Sequence, residues 1–221
     1  MTQHAPLFIV LLPVSAALLC MLFSRIQKNL GSWIVIASIA GAFLSAVSSL
    51  QQVIADGGKA LHYWMGNWQP PLGIEFVIDP ISGALAVLIT FIALLGSFYS
   101  LPFVKEEGWL HIGGYYTLYG LMTVGMCGMV ITGDVFNLYV FLEVMSLSGY
   151  GLIAIGGKKS MLAAFRYLLI GTIGASLYLL GVGYMYALTG TLNMADMAVR
   201  AAQFLNYPLF ALALACFVVG F

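Results

Sequence analysis

The stretch that decides the fold is Val135–Ile155, which reads VFNLYVFLEVMSLSGYGLIAI. Its one charged residue is Glu143. A helix of this length rises 1.5 Å per residue and is about 30 Å long, which matches the hydrocarbon thickness of a bilayer. Short polar and glycine-rich segments flank it, Thr132–Asp134 before and Gly156–Ser160 after. The pattern predicts a transmembrane helix with a carboxyl group near its middle.

Similar apolar segments recur along the chain. The sequence predicts six complete spans, which run from Pro6 to Phe23, Trp33 to Val53, just after Pro80 to Val104, Leu110 to Ile131, Val135 to Ile155 and Met161 to Leu188. A seventh begins after Asn206-Tyr207-Pro208, and the residues left before Phe221 are too few to cross a bilayer. We therefore predict an all-α, polytopic membrane helix bundle with a truncated seventh span, forming one transmembrane domain over residues 1–221.

Composition supports this class. Of the 221 residues, 62% are hydrophobic and 7% are charged, whereas soluble proteins carry about 25% charged residues. The mean hydropathy is +1.02. These values exclude a soluble enzyme, a disordered tail and a secreted disulfide scaffold. The formal net charge of zero gives no reason to expect nucleic acid as a partner.

The sequence gives no sign of a metal, a cofactor or a catalytic residue. Cys20, Cys127 and Cys216 lie in three different apolar runs, so redox-pair and iron–sulfur spacings are absent from the sequence. We interpret them as small packing residues. No nucleophile–histidine pair or phosphate loop is recognisable.

The distribution of basic residues predicts the orientation in the membrane. With the N-terminus outside a cell (inner) membrane, the outer side receives Lys59 and Arg200, and the inner side receives Arg25, Lys28, Lys105, Lys158, Lys159 and Arg166. The outer stretch Ala55–Ile78 contains Trp64 and Trp68 and suits an interfacial lid. The second outer stretch, Asn193–Phe204, has the apolar spacing of a short interfacial helix.

Three residues have the properties of helix caps. Asp79 precedes Pro80, which suits the first position of a helix. Asp134 and Ser160 stand before the fifth and sixth predicted spans. We predict that each accepts hydrogen bonds from the first turn of its helix.

Glu143 is the strongest candidate for a functional group. A charge in mid-membrane costs at least about 3 kcal/mol, so such residues usually face protein or water. A neutral structural carboxyl group is one interpretation, and a proton or cation relay is the one we favour. Tyr139, Ser146 and Tyr150 lie at helical spacing from Glu143 and are predicted to share its face as supporting residues.

Two further residues are weaker candidates. Arg166 lies near the predicted inner end of the sixth span, where an arginine usually extends to the lipid headgroups. His111 lies at the predicted inner mouth of the fourth span, where a surface histidine is the simpler interpretation and a proton-entry residue the alternative.

Three segments resemble one protein family. They are GDVFNLYVFLEVMSLSGYGLIAIGG from Gly133 to Gly157, GNWQPPLGIEFVIDPISG from Gly66 to Gly83, and FRYLLIGTIGASLYLLGVGYMYALTGTLNMADMA from Phe165 to Ala198. They are similar to the D-type subunits of Mrp-type monovalent cation/proton antiporters, and to the antiporter-like membrane subunits of complex I and membrane-bound hydrogenases.

The resemblance implies a longer subunit with two inverted five-helix repeats, of which residues 110–221 are the start of the first. It further implies that Glu143 pairs with a lysine of a broken seventh helix, which has no counterpart in this sequence. The chain is then the N-terminal portion of a subunit of a multisubunit Na⁺/proton antiporter, embedded in lipid beside other membrane subunits.

The sequence leaves two alternatives open. One is a proton-pumping membrane subunit of a hydrogenase or quinone oxidoreductase, which uses the same fold. The other is a structural membrane piece without transport function. Enzyme activity is expected, if at all, from the whole complex and not from this chain.

Overall fold

The computed structural model describes residues 4–27, 29–71, 73–104 and 109–220. Within those ranges the chain forms eight α-helices, which are α1 (Ala5–Ile26), α2 (Leu30–Ala55), α3 (Pro80–Val104), α4 (Trp109–Ile131), α5 (Val135–Ala154), α6 (Lys158–Thr189), α7 (Met194–Ala201) and α8 (Pro208–Gly220). The six helices α1 to α6 are long and apolar enough to cross a membrane. The predicted all-α polytopic bundle is confirmed, and its six spans end within a few residues of their predicted bounds.

The caps of α3 and α5 are those that the sequence predicts. The Asp79 Oδ1 atom accepts hydrogen bonds from the backbone N–H groups of Ile81 at 3.0 Å and Ser82 at 2.7 Å. The Asp134 Oδ1 atom accepts one from the backbone of Asn137 at 2.7 Å. These bonds satisfy donors that the first helical turn leaves free.

The predicted cap of α6 is wrong. The helix begins at Lys158, and Ser160 lies inside it. Gly157 stands at the N-cap position with φ of 100°, a conformation that glycine adopts without steric cost. Because this turn redirects the chain immediately before Lys158, the helix starts ahead of the serine.

The helices pack mainly against neighbours in sequence. Helix α1 packs on α2 and α4, α2 on α3, α4 on α5, and α5 on α6, while α8 packs on α6. Small residues lie in these contacts, and Ala42, Ala46 and Ala175 are buried. Such residues let helix backbones approach closely within a membrane.

One end of the bundle carries two short antiparallel strands, β1 (Leu61–Trp64) and β2 (Glu75–Ile78). They fall in the stretch Ala55–Ile78 that was predicted as an interfacial lid, and the strands themselves were not predicted. Isolated β-bridges join Phe76 to Thr132 and Asp134 to Asn193. We call this the hairpin end, because the hairpin, the α4–α5 joint and the start of α7 meet there.

The opposite end holds the connections from α1 to α2 and from α5 to α6, and we call it the basic end. Arg25, Lys158 and Lys159 lie there, as the predicted alternation of spans requires. Lys28 and the predicted break Lys105–Gly108 lie outside the described residues. Which end faces outward remains a prediction.

The predicted short interfacial helix is α7, followed by a 3₁₀ turn over Ala202–Phe204. The Asn193 side chain caps it by accepting hydrogen bonds from the backbone of Ala195 at 3.0 Å and Asp196 at 3.1 Å. Met197 and Ala201 are buried in a cluster with residues of α5, α6 and α8. Its apolar face therefore packs on the bundle.

Candidate functional site

Glu143 lies in the middle of α5. It follows Asp134 by about two and a half turns, or about 13 Å along the helix axis. Its side chain is partly buried. Among the described residues the ion pair is formed by His62 and Glu75, and Glu143 takes no part in one. A carboxyl group without a charged partner at this depth is costly in a bilayer.

The packing of α4 defines the direction in which Glu143 points. At Gly125 the backbones of α4 and α5 nearly touch, since a Cβ atom there would lie 2.6 Å from the Met145 amide nitrogen and 2.7 Å from the Phe141 carbonyl oxygen. Phe141 and Met145 are two residues before and after Glu143. Residues two positions apart lie on roughly opposite sides of a helix. Glu143 therefore points away from α4.

Tyr139 is the described neighbour that interacts with Glu143. The hydroxyl and carboxyl groups of the two side chains interact one helical turn apart. The Tyr139 ring also lies parallel to the ring of Tyr178 on α6, with centroids 6.5 Å apart and planes inclined by 7°. The predicted proximity of Tyr139 and Glu143 is thus observed, while its role stays a prediction.

Ser146 and Tyr150 form a separate group. Both line a cavity of about 560 Å³ whose walls come from α4, α5, α6 and α8. The Tyr150 ring packs edge to face on Tyr167, with centroids 4.8 Å apart. Glu143 does not line this cavity. The four residues predicted to share one face therefore form two groups. Tyr139 and Glu143 interact with each other, whereas Ser146 and Tyr150 line the cavity.

The two weaker candidates lie apart from Glu143. Arg166 is exposed on α6 and forms no ion pair within the part of the chain that the structure describes. His111 is exposed at the basic end, where it lines a cavity of about 290 Å³ with Tyr115, Ile155 and the end of α3. These positions fit the simpler interpretations of both residues, and the alternative roles remain predictions.

A polar cluster at the hairpin end was not predicted. Glu75 is only 6% exposed. Its Oε1 atom lies 2.5 Å from His62 Nδ1 and accepts a hydrogen bond from Trp64 Nε1 at 3.2 Å. Its Oε2 atom accepts one from Asn193 Nδ2 at 2.8 Å. One carboxyl group thus ties the hairpin to the start of α7.

The joint between α4 and α5 belongs to the same cluster. The backbone N–H of Gly133 donates to the Glu75 carbonyl at 2.9 Å, and the N–H of Met194 donates to the Gly133 carbonyl at 2.9 Å. Burial raises the pKa of the neighbouring Asp134 carboxyl group. The sequence signal for this cluster was weak, because Glu75 and Asn193 lie far apart in the chain and each resembles an ordinary loop residue.

The fold and the site together define an integral, multi-pass membrane protein with a carboxyl group in mid-span. Residues 132–221 match the family described as NADH:quinone oxidoreductase/Mrp antiporter, transmembrane. This match supports the resemblance to antiporter-like membrane subunits that the sequence segments carry. It is 43% identical over 220 residues to the N-type subunit of the NADH-quinone oxidoreductase of Desulforudis audaxviator, and the match covers 100% of this chain and 44% of the relative.

Other relatives come from antiporters and respiratory complexes. The D-type subunit of the Na⁺/H⁺ antiporter of Bacillus subtilis is 32% identical over 88% of this chain and 38% of its own length. A chain of the archaeal membrane-bound sulfane sulfur reductase superposes with a TM-score of 0.90 at 30% identity, covering 99% of this chain and 44% of that one. For the Mrp complex of Dietzia sp. DQ12-45-1b the TM-score is 0.78 at 25% identity, over 99% and 40%. The chain thus spans less than half the length of these relatives.

Proposed function

We propose that this chain belongs to a multisubunit monovalent cation/proton antiporter, with Na⁺ as the cation, and that Glu143 carries the proton. The observation that supports this most is the position of Glu143, which lies in mid-span, points away from α4 and has no ion-pair partner among the described residues. The names of the antiporter relatives support the same activity. The partners are other membrane subunits of such a complex, in the cell membrane, with the N-terminus outside.

The chemistry required of Glu143 is reversible protonation. A low-dielectric surrounding favours a neutral carboxylic acid, whereas an approaching cation favours the carboxylate. A group exposed to both influences takes up a proton when the cation withdraws and releases it when the cation returns. Tyr139 orients the carboxyl group through their interaction.

The test replaces Glu143 in the assembled complex. Glu143→Gln keeps the shape but cannot ionise, and we expect it to abolish proton transport in inverted membrane vesicles, measured with a pH-sensitive dye after addition of Na⁺. Glu143→Asp keeps a titratable group and retains part of the rate. Asp56→Asn, at an exposed position after α2, is the matched control and leaves transport unchanged.

Assembly is measured in parallel by recovery of the intact complex. Normal transport by an assembled Glu143→Gln complex would refute the proposed role of Glu143. If that variant shows neither a transport defect nor any other phenotype, a structural role of the chain becomes the better account.

The second candidate is a proton-pumping membrane subunit of a redox complex. It is favoured by a specific observation, because the relative named as a quinone oxidoreductase subunit is 43% identical and the antiporter relative 32%. The chain of the sulfane sulfur reductase also superposes with a higher TM-score than the chain of the Mrp complex. In this case proton movement in vesicles follows addition of an electron donor and is independent of Na⁺.

A further inference from the structure

Tyr178 is a buried tyrosine on α6, and the sequence alone did not mark it as a candidate functional residue. It is 4% exposed, and its hydroxyl donates a hydrogen bond to the Val135 carbonyl oxygen at 3.3 Å. Val135 is the first residue of α5. Tyr178 therefore lies beside the start of the helix that carries Glu143.

The ring of Tyr178 contacts aromatic rings of two other helices. On one side it lies parallel to Tyr139 on α5. On the other it packs against Phe217 on α8, with centroids 5.1 Å apart and planes inclined by 55°. Phe217, Tyr178 and Tyr139 thus form a continuous row of rings from α8 to the neighbour of Glu143, which we call the aromatic row.

Helices α6 and α8 are held closely together beside this row. A Cβ atom at Gly220 would lie 2.7 Å from the backbone nitrogen of Tyr178. There is accordingly little free space between the two backbones at this level. A displacement of α8 therefore displaces the ring of Tyr178, because closely packed interiors transmit strain.

We propose that Tyr178 is a positioning residue for Glu143, and that the aromatic row couples the position of α8 to the orientation of the Glu143 carboxyl group. This inference rests on the proposed proton-carrying role of Glu143. The coupling works through ring contact, since the Tyr139 ring is held by Tyr178 while its hydroxyl interacts with the carboxyl group. The rings of Tyr139 and Phe217 hold the Tyr178 ring from both sides, so the row depends on the ring and not on the Tyr178 hydroxyl.

The test separates the ring from the hydroxyl. Tyr178→Leu removes the ring, and Tyr178→Phe keeps it while losing the hydrogen bond to Val135. Tyr186→Leu is the matched control, because Tyr186 lies on the same helix and is 52% exposed. The rate of proton transport by the assembled complex in vesicles is measured from about pH 6 to about pH 9, together with the thermal unfolding midpoint in detergent.

We expect Tyr178→Leu to lower the rate about tenfold, less than the roughly hundredfold loss that a 1 Å misplacement causes in catalytic sites. We also expect its pH profile to shift, which loss of packing alone does not produce. Tyr178→Phe and Tyr186→Leu keep the rate and the pH profile of the unmodified complex. Tyr139→Leu reproduces the effect of Tyr178→Leu, and the double variant is no slower than either single one, because the two rings act in one row.

Two results would overturn the aromatic row. One is a normal rate and pH profile for Tyr178→Leu, and the other is a Tyr178→Phe variant as impaired as Tyr178→Leu. If Tyr178→Leu does not assemble, Phe217→Leu tests the same row from α8, because Phe217 is partly buried and packs on Tyr178. A normal rate and pH profile for Phe217→Leu would then overturn the row. Glu143→Gln, measured alongside, separates the two proposals: its normal activity refutes the proton role, whereas its inactivity beside a normal Tyr178→Leu refutes only the row.

Discussion

Among the residues that the structure describes, Glu75 and Glu143 are partly or fully buried, and their surroundings differ. Glu75 at the hairpin end is 6% exposed and meets donors from His62, Trp64 and Asn193. Glu143 lies in mid-span, is partly exposed and interacts with Tyr139. A buried carboxyl group whose oxygens all have hydrogen-bond donors stabilises the structure around it. A carboxyl group in mid-span with few partners is the one for which we propose a role in transport.

Depth in the membrane and the number of hydrogen-bond donors together determine the energetic cost of a carboxyl group. Glu75 costs little because several donors replace the water that it loses. Among the described residues Glu143 interacts with the Tyr139 hydroxyl alone, which fits the proposed functional role. A substitution of Glu75 is therefore expected to lower the stability of the protein, and a substitution of Glu143 is expected to impair transport.

The largest effect on stability is expected from Glu75→Ala. It leaves the donors of Trp64 and Asn193 without their acceptor and removes the partner of His62, so we expect a loss of about 3 kcal/mol in the free energy of unfolding. Thermal unfolding of the assembled protein in detergent measures it. Glu143→Gln, in contrast, should leave the unfolding midpoint close to that of the unmodified protein.

The distinction between the two glutamates would be wrong if Glu143→Gln lowered the unfolding midpoint and Glu75→Ala did not. An unchanged midpoint for Glu75→Ala would mean that the cluster at the hairpin end contributes little to stability. Glu75→Gln retains one acceptor oxygen and is expected to give an intermediate midpoint.

The second prediction concerns the close approach of α4 to α5. Gly125→Ala introduces a methyl group against the backbone on both sides of Glu143, and overpacking of this kind costs about 2 kcal/mol. Because the substitution moves α5, transport should fall as well. Gly114→Ala on the same helix is the control, since nothing lies within 4 Å of its Cβ position. Equal midpoints and equal rates for the two variants would show that this close approach does not hold α5 in place.

The third prediction concerns the link between the hairpin and α7. Asn193→Ala removes the N-cap of α7 and one donor to Glu75, with an expected cost of about 1 kcal/mol. The effect should appear as faster proteolysis or hydrogen exchange at α7 and the hairpin together. Gln203→Ala, at an exposed position in the turn after α7, is the control. Protection that is lost in α7 alone would show that Glu75 does not join the two elements.

The smallest effects are expected from a change in pH. The contributions of the two capping aspartates to stability should change with pH in opposite directions. Hydrogen bonds from the Ser82 backbone lower the pKa of Asp79, so its contribution to stability is present above the ordinary aspartate range and is lost as the pH falls. Burial raises the pKa of Asp134, so its contribution is present at low pH and is lost as the pH rises through the raised value.

Asparagine keeps a capping oxygen but does not titrate. At neutral pH, Asp79→Asn should therefore lower the unfolding midpoint slightly and Asp134→Asn should raise it slightly, with both differences vanishing in acid. Midpoints measured as a function of pH test the signs. Differences of the same sign would show that burial does not distinguish the two carboxyl groups.

Much of the fold was predictable because the length of an apolar segment and the residues that cap a helix are local properties of the sequence. The six spans and the caps at Asp79 and Asp134 follow from neighbouring residues alone. The start of α6 was mistaken, because the conformation of Gly157 outweighed the capping preference of Ser160. The strands at Leu61–Trp64 and Glu75–Ile78 were missed, since each is short and is stabilised by contacts with distant parts of the chain.

The candidate site was predictable in part for the same reason. Glu143 was recognisable because a single charge in an apolar run is visible in the sequence. Its separation from Ser146 and Tyr150, and the presence of Tyr178 beside Tyr139, depend on how α4, α6 and α8 pack against α5. Helical spacing tells which residues share a face, but it does not tell what lies opposite that face.

The sequence by itself therefore determined that this is a multi-pass helical membrane protein with one carboxyl group in mid-span, because hydrophobic length and the cost of a buried charge act on each segment separately. Tertiary structure alone decided which polar groups meet. Asn193 donates a hydrogen bond to Glu75, which is 118 residues away in the sequence, and the aromatic row contains rings from three helices. Such contacts depend on the relative placement of whole helices.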